Sequence, residues 1–110
     1  MDVSFGDNKL RKLANDERKA IKVLGVNRAR LFKLRLNMLM AAQSLEDLRY
    51  APGRFHELTA NRKGQWACDL DHPYRLIFEP HEFPIPQNDV GGFVWLEIKG
   101  VEIIEIEDYH

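Results

Sequence analysis

The spacing of the apolar residues changes at Ala51-Pro52-Gly53, and this change constrains the fold more than any other feature of the chain. Before it, apolar residues recur every three or four positions, as they do on the buried face of a helix. After it, short runs of aromatic and β-branched residues are separated by turn residues, as they are in a sheet of short strands. Helices followed by strands predict an α+β fold, with the helices packed on a small, mostly antiparallel β-sheet.

Two helices are predicted before residue 51. The first begins after Asp7, a favourable N-cap residue, and Asn15-Asp16 either breaks it or restarts it as a second cap. Gly25 separates it from a second helix, whose apolar face is wide enough to be covered on more than one side. That wide face is formed by Leu31, Phe32, Leu34, Leu36, Met38, Leu39 and Ala41. Residues 44–47 resemble a capping box, which predicts one more short helical turn.

Four strands are predicted after residue 53. The first contains Phe55 and Leu58, and the others cover residues 65–70, 74–78 and 101–106. Asparagine, glycine and proline predict turns at 61–64 and 71–73 between the first three. Three prolines between residues 80 and 86 disfavour regular strand pairing, so residues 80–92 are predicted to form a long loop. Residues 93–98 fit either a strand or a helical turn.

The composition is that of a soluble globular protein, and the length predicts one domain over residues 1–110. No apolar run approaches the roughly 20 residues of a membrane-spanning helix. The first residues lack the pattern of a signal peptide. Cys68 is the single cysteine, so no internal disulfide can form, and a cytoplasmic location is expected. No spacing of cysteine and histidine suggests a zinc site, and no glycine-rich phosphate loop is present.

The net charge of −1 conceals a strong asymmetry along the chain. Residues 1–35 hold ten Lys and Arg against four Asp and Glu, whereas residues 36–110 hold six against thirteen. The basic helical half suits either a nucleic acid or an acidic partner, and it suits equally well two amphipathic helices with solvated basic faces. A pI near 6.4 argues against strong nonspecific binding of nucleic acid.

Four segments of the strand-rich half occur in an order that resembles the HigB branch of the RelE/ParE toxin superfamily. They are Gly53-Arg54-Phe55-His56-Glu57-Leu58, Arg62-Lys63-Gly64-Gln65-Trp66, Tyr74-Arg75-Leu76-Ile77-Phe78 and Glu105-Ile106-Glu107-Asp108-Tyr109-His110. The resemblance is close over residues 53–79 and 101–110, and the helical half matches in order and length.

This resemblance implies the toxin of a type II toxin–antitoxin system. Such a toxin is a ribosome-dependent mRNA interferase, neutralised by a helix-turn-helix antitoxin of the HigA type in a hetero-oligomeric complex. It needs neither a metal nor another cofactor, because the ribose 2′-OH attacks its own phosphate and leaves a cyclic phosphate and a free 5′-OH. The alternative is a non-catalytic protein-binding member of the fold, either a gyrase inhibitor or a degenerate toxin retained for antitoxin binding.

The resemblance also implies the catalytic residues, which are His56, Asp108, Tyr109 and His110. RNA cleavage needs a base for the 2′-OH and an acid for the leaving 5′-oxygen, and an imidazole serves as either. Asp108 would orient a histidine or accept a proton, and Tyr109 would stack on a base or donate to a phosphate. Tyr109 is explained equally well as an aromatic cap over the edge of the core. Without the resemblance, His56 is better explained as a histidine on the strand surface, and the last three residues as a solvated end.

Three cations are candidates for RNA binding. Arg75 is expected either to hold the scissile phosphate or to form a cross-strand ion pair with Asp69 or Glu79. Arg62 and Lys63 lie at a predicted hairpin tip, where basic residues serve either phosphate contact or solubility. Trp66 belongs to the same segment but is predicted to lie in the core.

Two departures from the branch affect the expected activity. Its toxins commonly carry a lysine three residues after the motif histidine, where this chain has Thr59. A hydroxyl group cannot supply that charge, so either Arg62 or Lys63 replaces it or activity is reduced. Toxins that act on ribosomes are usually basic, whereas this chain is slightly acidic.

Overall fold

Three helices precede most of a five-stranded sheet in the computed structural model, which describes residues 1–109. The helices are α1 (Asn8–Asn15), α2 (Glu17–Leu24) and α3 (Val26–Ala41). The strands are β1 (Asp2–Phe5), β2 (His56–Glu57), β3 (Trp66–Asp69), β4 (Tyr74–Pro80) and β5 (Gly100–Asp108). They lie in the order β1-β5-β4-β3-β2, and every pairing is antiparallel except that of β1 with β5. The predicted α+β class is confirmed.

The first predicted helix is divided in two by Asp16. The side chain of Asp7 accepts a hydrogen bond from the Leu10 amide at 2.7 Å and caps α1. Asp16 adopts an extended backbone, and its side chain accepts from the Lys19 amide at 3.1 Å, which caps α2. Because an N-cap residue has a non-helical backbone, capping by Asp16 both ends α1 and begins α2.

The sequence did not predict β1, a short strand at one edge of the sheet. It pairs in parallel with β5, with Val3 opposite Val101 and Phe5 opposite Ile103. The Met1 ammonium donates to the carbonyl oxygens of Leu39, Met40 and Ala42 at 2.6–3.2 Å. This contact places a positive charge on the last turn of α3, where the helix dipole favours it.

The remaining elements agree with their predicted positions and differ in length. The predicted turn at 44–47 is a 3₁₀ helix (Leu45–Leu48), in which the Asp47 carboxylate accepts from the Ser44 amide at 3.3 Å. The turn after β2 contains the 3₁₀ helix Ala60–Arg62, and Gly64 takes the positive φ of 97° that this turn requires. The ambiguous segment 93–98 forms a helical turn, Trp95–Glu97.

One face of the sheet packs on the helices and forms the core. Trp66, Phe78 and Ile103 lie in register on this face and are fully buried with Phe32 and Leu39 of α3. The prediction that Trp66 belongs to the core is therefore confirmed. The other face of the sheet carries the alternate residues of each strand, and most of these are polar.

Candidate functional site

The polar sheet face is the side of the sheet that points away from the helices. We define it by His56 on β2, Asp69 on β3, Arg75 and Glu79 on β4, and Glu102, Glu105 and Glu107 on β5. Residues opposite each other on paired strands share a face. Asp69, Arg75 and Glu107 form one such cross-strand row. His56, Ala67, Ile77 and Glu105 form the next.

Glu107 joins two arginines on the polar sheet face, near the end of β5. Its Oε1 accepts from Nη2 of Arg75 at 2.8 Å, and its Oε2 lies 2.6 Å from Nη2 of Arg62. Arg62 also donates to Glu105 at 2.7 Å and to the side-chain carbonyl of Gln65 at 2.8 Å. Both guanidinium groups are therefore held in place by acidic side chains.

Arg75 does not form either ion pair considered from the sequence. Asp69 lies opposite Arg75 in register but pairs instead with Arg54, at 3.5 Å. Glu79 accepts a hydrogen bond from the side-chain Nε2 of Gln65 at 3.2 Å. Glu107, on the other neighbouring strand, is the partner of Arg75. The Arg75 residue is 9% exposed, so this ion pair is well shielded from water.

The ring of His56 is held by a backbone carbonyl group. Nδ1 lies 2.6 Å from the carbonyl oxygen of Arg54, two residues earlier. A carbonyl oxygen accepts hydrogen bonds but never donates them, so Nδ1 carries a proton. In the neutral ring, Nε2 is then left with its lone pair available to accept a proton. Arg54, whose carbonyl takes part in this contact, has a positive φ of 53° and follows Gly53, whose φ is also positive at 102°.

Tyr109 is packed on Arg75. The guanidinium carbon of Arg75 lies 3.8 Å from the centroid of the Tyr109 ring, a cation–π distance. The Tyr109 amide donates to the carbonyl oxygen of Pro73 at 2.8 Å, which continues the pairing of β5 beyond its last residue. These two contacts place Tyr109 beside the polar sheet face. His110, the other predicted catalytic residue at this end, lies outside the described residues.

Asp108 lies on the opposite side of the sheet from Glu107. Side chains alternate along a strand, and Asp108 is in register with Tyr74, whose ring stacks on Arg28 of α3. The hydrogen-bonded carboxylate of Asp71, 2.9 Å away, raises the pKa of the Arg28 guanidinium, and the charge of Asp108 contributes to this rise. The structure therefore brings Asp108 near Arg28 and not into the row of His56.

Among residues 1–109, Lys63 is the hairpin cation that forms no salt bridge with a carboxylate. Its side chain is exposed, and Nζ lies 5.6 Å from the centroid of the Phe93 ring. Arg62, one residue earlier, is bound to Glu105 and Glu107. Of the two cations considered as replacements for a lysine at Thr59, Lys63 therefore has the free charge.

His56 and Tyr109 lie on opposite sides of Arg75 in the order of the strands. His56 is on the edge strand β2, Arg75 on β4, and Tyr109 just after β5. Three strand spacings of about 4.8 Å separate β2 from β5, or ~14 Å. His56 and Tyr109 are therefore held by strands on different sides of β4. Among the described residues, no group of three or more His, Cys, Asp and Glu is arranged to hold a metal ion.

The sequence did not identify Glu105 and Glu107 as site residues. Their carboxylates form the salt bridges that hold Arg62 and Arg75. The alternation of apolar and charged residues along 101–106 indicated which of these side chains share a face. It did not indicate which residue of β4 each would oppose. That register depends on a bulge between Ile77 and Phe78, where the pairing shifts by one residue.

Comparison with known proteins identifies relatives of the chain. The model of the HigB-like toxin family, described as RelE-like toxin of type II toxin-antitoxin system HigB, matches residues 3–88. Toxin HigB-1 of Vibrio cholerae serotype O1 (strain ATCC 39315 / El Tor Inaba N16961) is 35% identical over 80 residues, which cover 72% of this chain and 83% of that protein. The family match includes His56, Arg62, Lys63 and Arg75, and it ends before Asp108, Tyr109 and His110. In residues 1–109, no helix is long and apolar enough to cross a membrane.

Proposed function

The chain belongs to the HigB-like family of RelE-like toxins of type II toxin–antitoxin systems, and we propose that it is an endoribonuclease that cuts mRNA on the ribosome. Membership implies an antitoxin partner. We further propose that this partner is a helix-turn-helix protein of the HigA type, that the two form a hetero-oligomer, and that both act in the cytoplasm.

In the proposed reaction, the ribose 2′-oxygen attacks the adjacent phosphorus atom while the bond from phosphorus to the 5′-oxygen breaks. The products are a 2′,3′-cyclic phosphate and a free 5′-hydroxyl group. One proton leaves the 2′-OH and one reaches the 5′-oxygen, so the step needs a base and an acid and consumes no co-reactant. Negative charge grows on the phosphate oxygens in the transition state, and nearby cations stabilise it.

His56 is the proposed base, and its hydrogen bond to Arg54 is the observation that carries the proposal. This bond fixes the proton on Nδ1 and leaves Nε2 to accept the proton of the 2′-OH. It also fixes the orientation of the ring without another charged residue. The positive φ of Arg54 supports the proposal, because backbone strain of this kind clusters at functional sites.

Arg75 is the proposed phosphate ligand, and Tyr109 the proposed contact to a base or phosphate. Arg75 supplies a fork of donors on the polar sheet face, near the start of β4. Lys63 is the proposed RNA contact at the hairpin, with Arg62 contributing when a phosphate displaces its carboxylate partners. His110 is proposed as the acid. Asp108, the last residue of β5, is proposed to act on the site through its electrostatic interaction with Arg28.

A second candidate function is supported by the charge of the polar sheet face. Asp69, Glu79, Glu102, Glu105 and Glu107 outnumber the nearby Arg54, Arg62 and Arg75. Both Arg62 and Arg75 are already paired, so an incoming phosphate must compete with carboxylates for them. This arrangement favours a toxin of reduced activity that is retained for antitoxin binding. A gyrase inhibitor needs none of the histidine geometry, and no contact in the structure favours it.

Expression of the chain alone separates these candidates. The endoribonuclease should arrest growth and produce mRNA cuts within translated codons, and the purified protein should cut RNA well only when ribosomes are present. Cut ends should carry a 5′-hydroxyl group, which polynucleotide kinase labels directly. Normal growth with the expressed protein verified would favour the degenerate toxin. Uniform cutting of RNA without ribosomes would contradict the ribosome-dependent mechanism.

A further inference from the structure

Arg35 connects α3 to the loop that precedes His56. Its Nε donates to the carbonyl oxygen of Asp69, the last residue of β3, at 2.8 Å. The backbone amide of the same Asp69 donates to the carbonyl oxygen of Gly53 at 2.8 Å. Both backbone groups of Asp69 therefore take part in linking the loop to the helix.

Gly53 lies directly against the guanidinium group of Arg35. A β-carbon added at Gly53 would lie 2.6 Å from Cζ of Arg35 and 2.8 Å from its Nε and Nη1. These distances are well below the separation of about 3.5–4.0 Å at which carbon atoms attract each other. The hydrogen bond to Asp69 holds the Arg35 side chain in this place, so the guanidinium occupies the space that a side chain at position 53 would need.

The next residue, Arg54, has a strained backbone. Its φ of 53° lies in the left-handed region, which is unfavourable for a residue with a β-carbon. Such a conformation persists only where the surrounding structure determines it. The Arg54 side chain contributes little to that constraint, since it is 72% exposed and lies 3.5 Å from the Asp69 carboxylate. The contacts of Gly53 with Asp69 and Arg35 are the ones that hold the backbone immediately before Arg54.

The orientation of the His56 ring depends on this strained segment. The carbonyl oxygen of Arg54 lies 2.6 Å from Nδ1 of the ring. Strand pairing restrains the ring less, because β2 has two residues and is paired with β3 at those two positions. A series of direct contacts thus runs from Arg35 through Asp69 and Gly53 to Arg54 and the imidazole.

No ion pair explains the position of Arg35. Within residues 1–109 it forms no salt bridge, and its other side-chain contact is a weak one, from Nη1 to the Met38 sulfur at 3.5 Å. The residue is half-buried, and moving a charge out of water costs free energy that no carboxylate offsets here. An apolar side chain of the same length would fill this place at a lower cost. The feature that needs an explanation is therefore the donor at Nε.

We propose that Arg35 is a positioning residue for the imidazole of His56. By holding Asp69 and Gly53, it fixes the backbone of residues 53 and 54, and with it the carbonyl oxygen that keeps the proton on Nδ1. Nε2 then retains its lone pair, while Arg35 itself touches no substrate. The importance of this arrangement rests on the proposed function, in which His56 is the base. Its direct consequence, the tautomer of His56, exists without RNA.

The test measures the tautomer of His56 in the full-length chain by proton–nitrogen correlation NMR, at a pH where the ring is neutral. The signals of His56 are those missing from the spectrum of His56→Ala. The native ring should carry its proton on Nδ1, and a native ring that populates both tautomers would overturn the proposal. In Arg35→Met, which removes the donor and keeps the length of the side chain, the ring should populate both. Arg35→Lys, which keeps the charge and a donor but loses the flat guanidinium group, should lie between the two.

Two controls on α3 separate positioning from general effects. Arg30→Met removes the same charge from an exposed arginine that donates to Asn27. Leu36→Val creates space in the core beside α1 and β1, away from the loop, and lowers stability. Both controls should keep the native tautomer.

Two NMR results would overturn the proposal. One is an Nδ1-protonated ring in folded Arg35→Met, which would show that the ring does not depend on Arg35. The other is an equal mixture of tautomers in Leu36→Val, which would show that any loss of stability loosens the ring. Thermal unfolding verifies that each variant is folded. If Arg35→Met does not fold, the comparison of Arg35→Lys with the native chain decides by the same criteria.

Cleavage on ribosomes supplies a second measurement. Arg35→Met should lower kcat by a factor on the order of 10 to 10² and leave KM nearly unchanged, because a misplaced catalytic group slows the chemical step and not the binding of RNA. A raised KM with unchanged kcat would show that Arg35 binds RNA and would overturn the proposal. If the native chain cuts no RNA, the nuclease proposal fails, while the tautomer comparison still decides the role of Arg35.

Discussion

The Tyr109 ring stacks on the Arg75 guanidinium group, with 3.8 Å between the guanidinium carbon and the ring centroid. Arg75 is in turn held by Glu107, two residues before Tyr109 on the same segment. Tyr109 is therefore attached to the polar sheet face by both a backbone and a side-chain contact. A tail anchored in this way can position a reactive group, which a freely solvated tail cannot do.

Deletion of Tyr109 and His110 should reduce activity far more than stability. Tyr109 is 58% exposed, and its cation–π contact and its backbone hydrogen bond to Pro73 are each worth on the order of 1 kcal/mol. The free energy of unfolding should therefore fall by about 1–2 kcal/mol. Cleavage on ribosomes should fall by a factor on the order of 10² or more, as expected when a positioned acid or base is lost.

The control for this truncation is Tyr109→Phe, which keeps the ring over Arg75 and removes the hydroxyl group. If this variant cleaves as well as the native chain, Tyr109 acts by stacking. If cleavage falls, the phenol hydroxyl donates a hydrogen bond. Full toxicity in the truncated protein, with an unchanged melting curve, would show that the last two residues form only a solvated end.

Replacement of the proposed base, His56→Ala, should lower cleavage by a factor on the order of 10² to 10⁴. The melting temperature should change little, because the ring is half-buried at the edge of the sheet and its one hydrogen bond is to a local carbonyl. His72→Ala is the matched control, since His72 is exposed in the turn before β4. Equal activity in the two variants would exclude His56 as the base.

Glu107→Gln should destabilise the protein by about 1–3 kcal/mol, because it leaves the shielded Arg75 without its ionised partner. The control is Glu102→Gln, on the same strand and face. Glu102 lies directly opposite Glu79, so neutralising it removes a like-charge contact and should leave stability unchanged or slightly increased. Denaturant unfolding measures both. Similar unfolding midpoints for the two variants would show that the Arg75 pair contributes nothing.

The sequence predicts elements whose contacts are local and fails where distant segments meet. The caps at Asp7 and Asp16 and the turn at Gly64 follow from residues within a few positions of each other. β1 is four residues long, and its partner begins at Gly100, so no local pattern distinguishes it from a frayed end. In the site, the choice of Glu107 over Asp69 as the partner of Arg75 depends on a β-bulge in the last hairpin. Such a register is a property of the packed sheet.

Cys68 should be unreactive in the native protein. It lies on β3 within the core with 0% exposure, and burial raises the pKa of its thiol well above the usual range, so almost no thiolate forms near neutral pH. An aromatic disulfide reagent should therefore label the native chain very slowly and the urea-unfolded chain rapidly. The native labelling rate should rise in Glu107→Gln if that variant opens more often. Fast labelling of the native chain would contradict the buried position of β3.

Thr59→Lys should increase cleavage if a missing cation limits this toxin. Thr59 is exposed two residues after β2, near His56 and the hairpin, and Arg62 is too firmly held by Glu105 and Glu107 to replace the charge.

Combining Thr59→Lys with Glu105→Gln should increase cleavage further, because the second change leaves Arg62 with one carboxylate in place of two. Each added or released cation should neutralise one more RNA phosphate. The affinity for RNA should then fall more steeply as the salt concentration rises. The readouts are cleavage on ribosomes and the salt dependence of binding to a short RNA. Unchanged values in the double variant would show that the charge of this face does not limit activity and would favour the degenerate toxin.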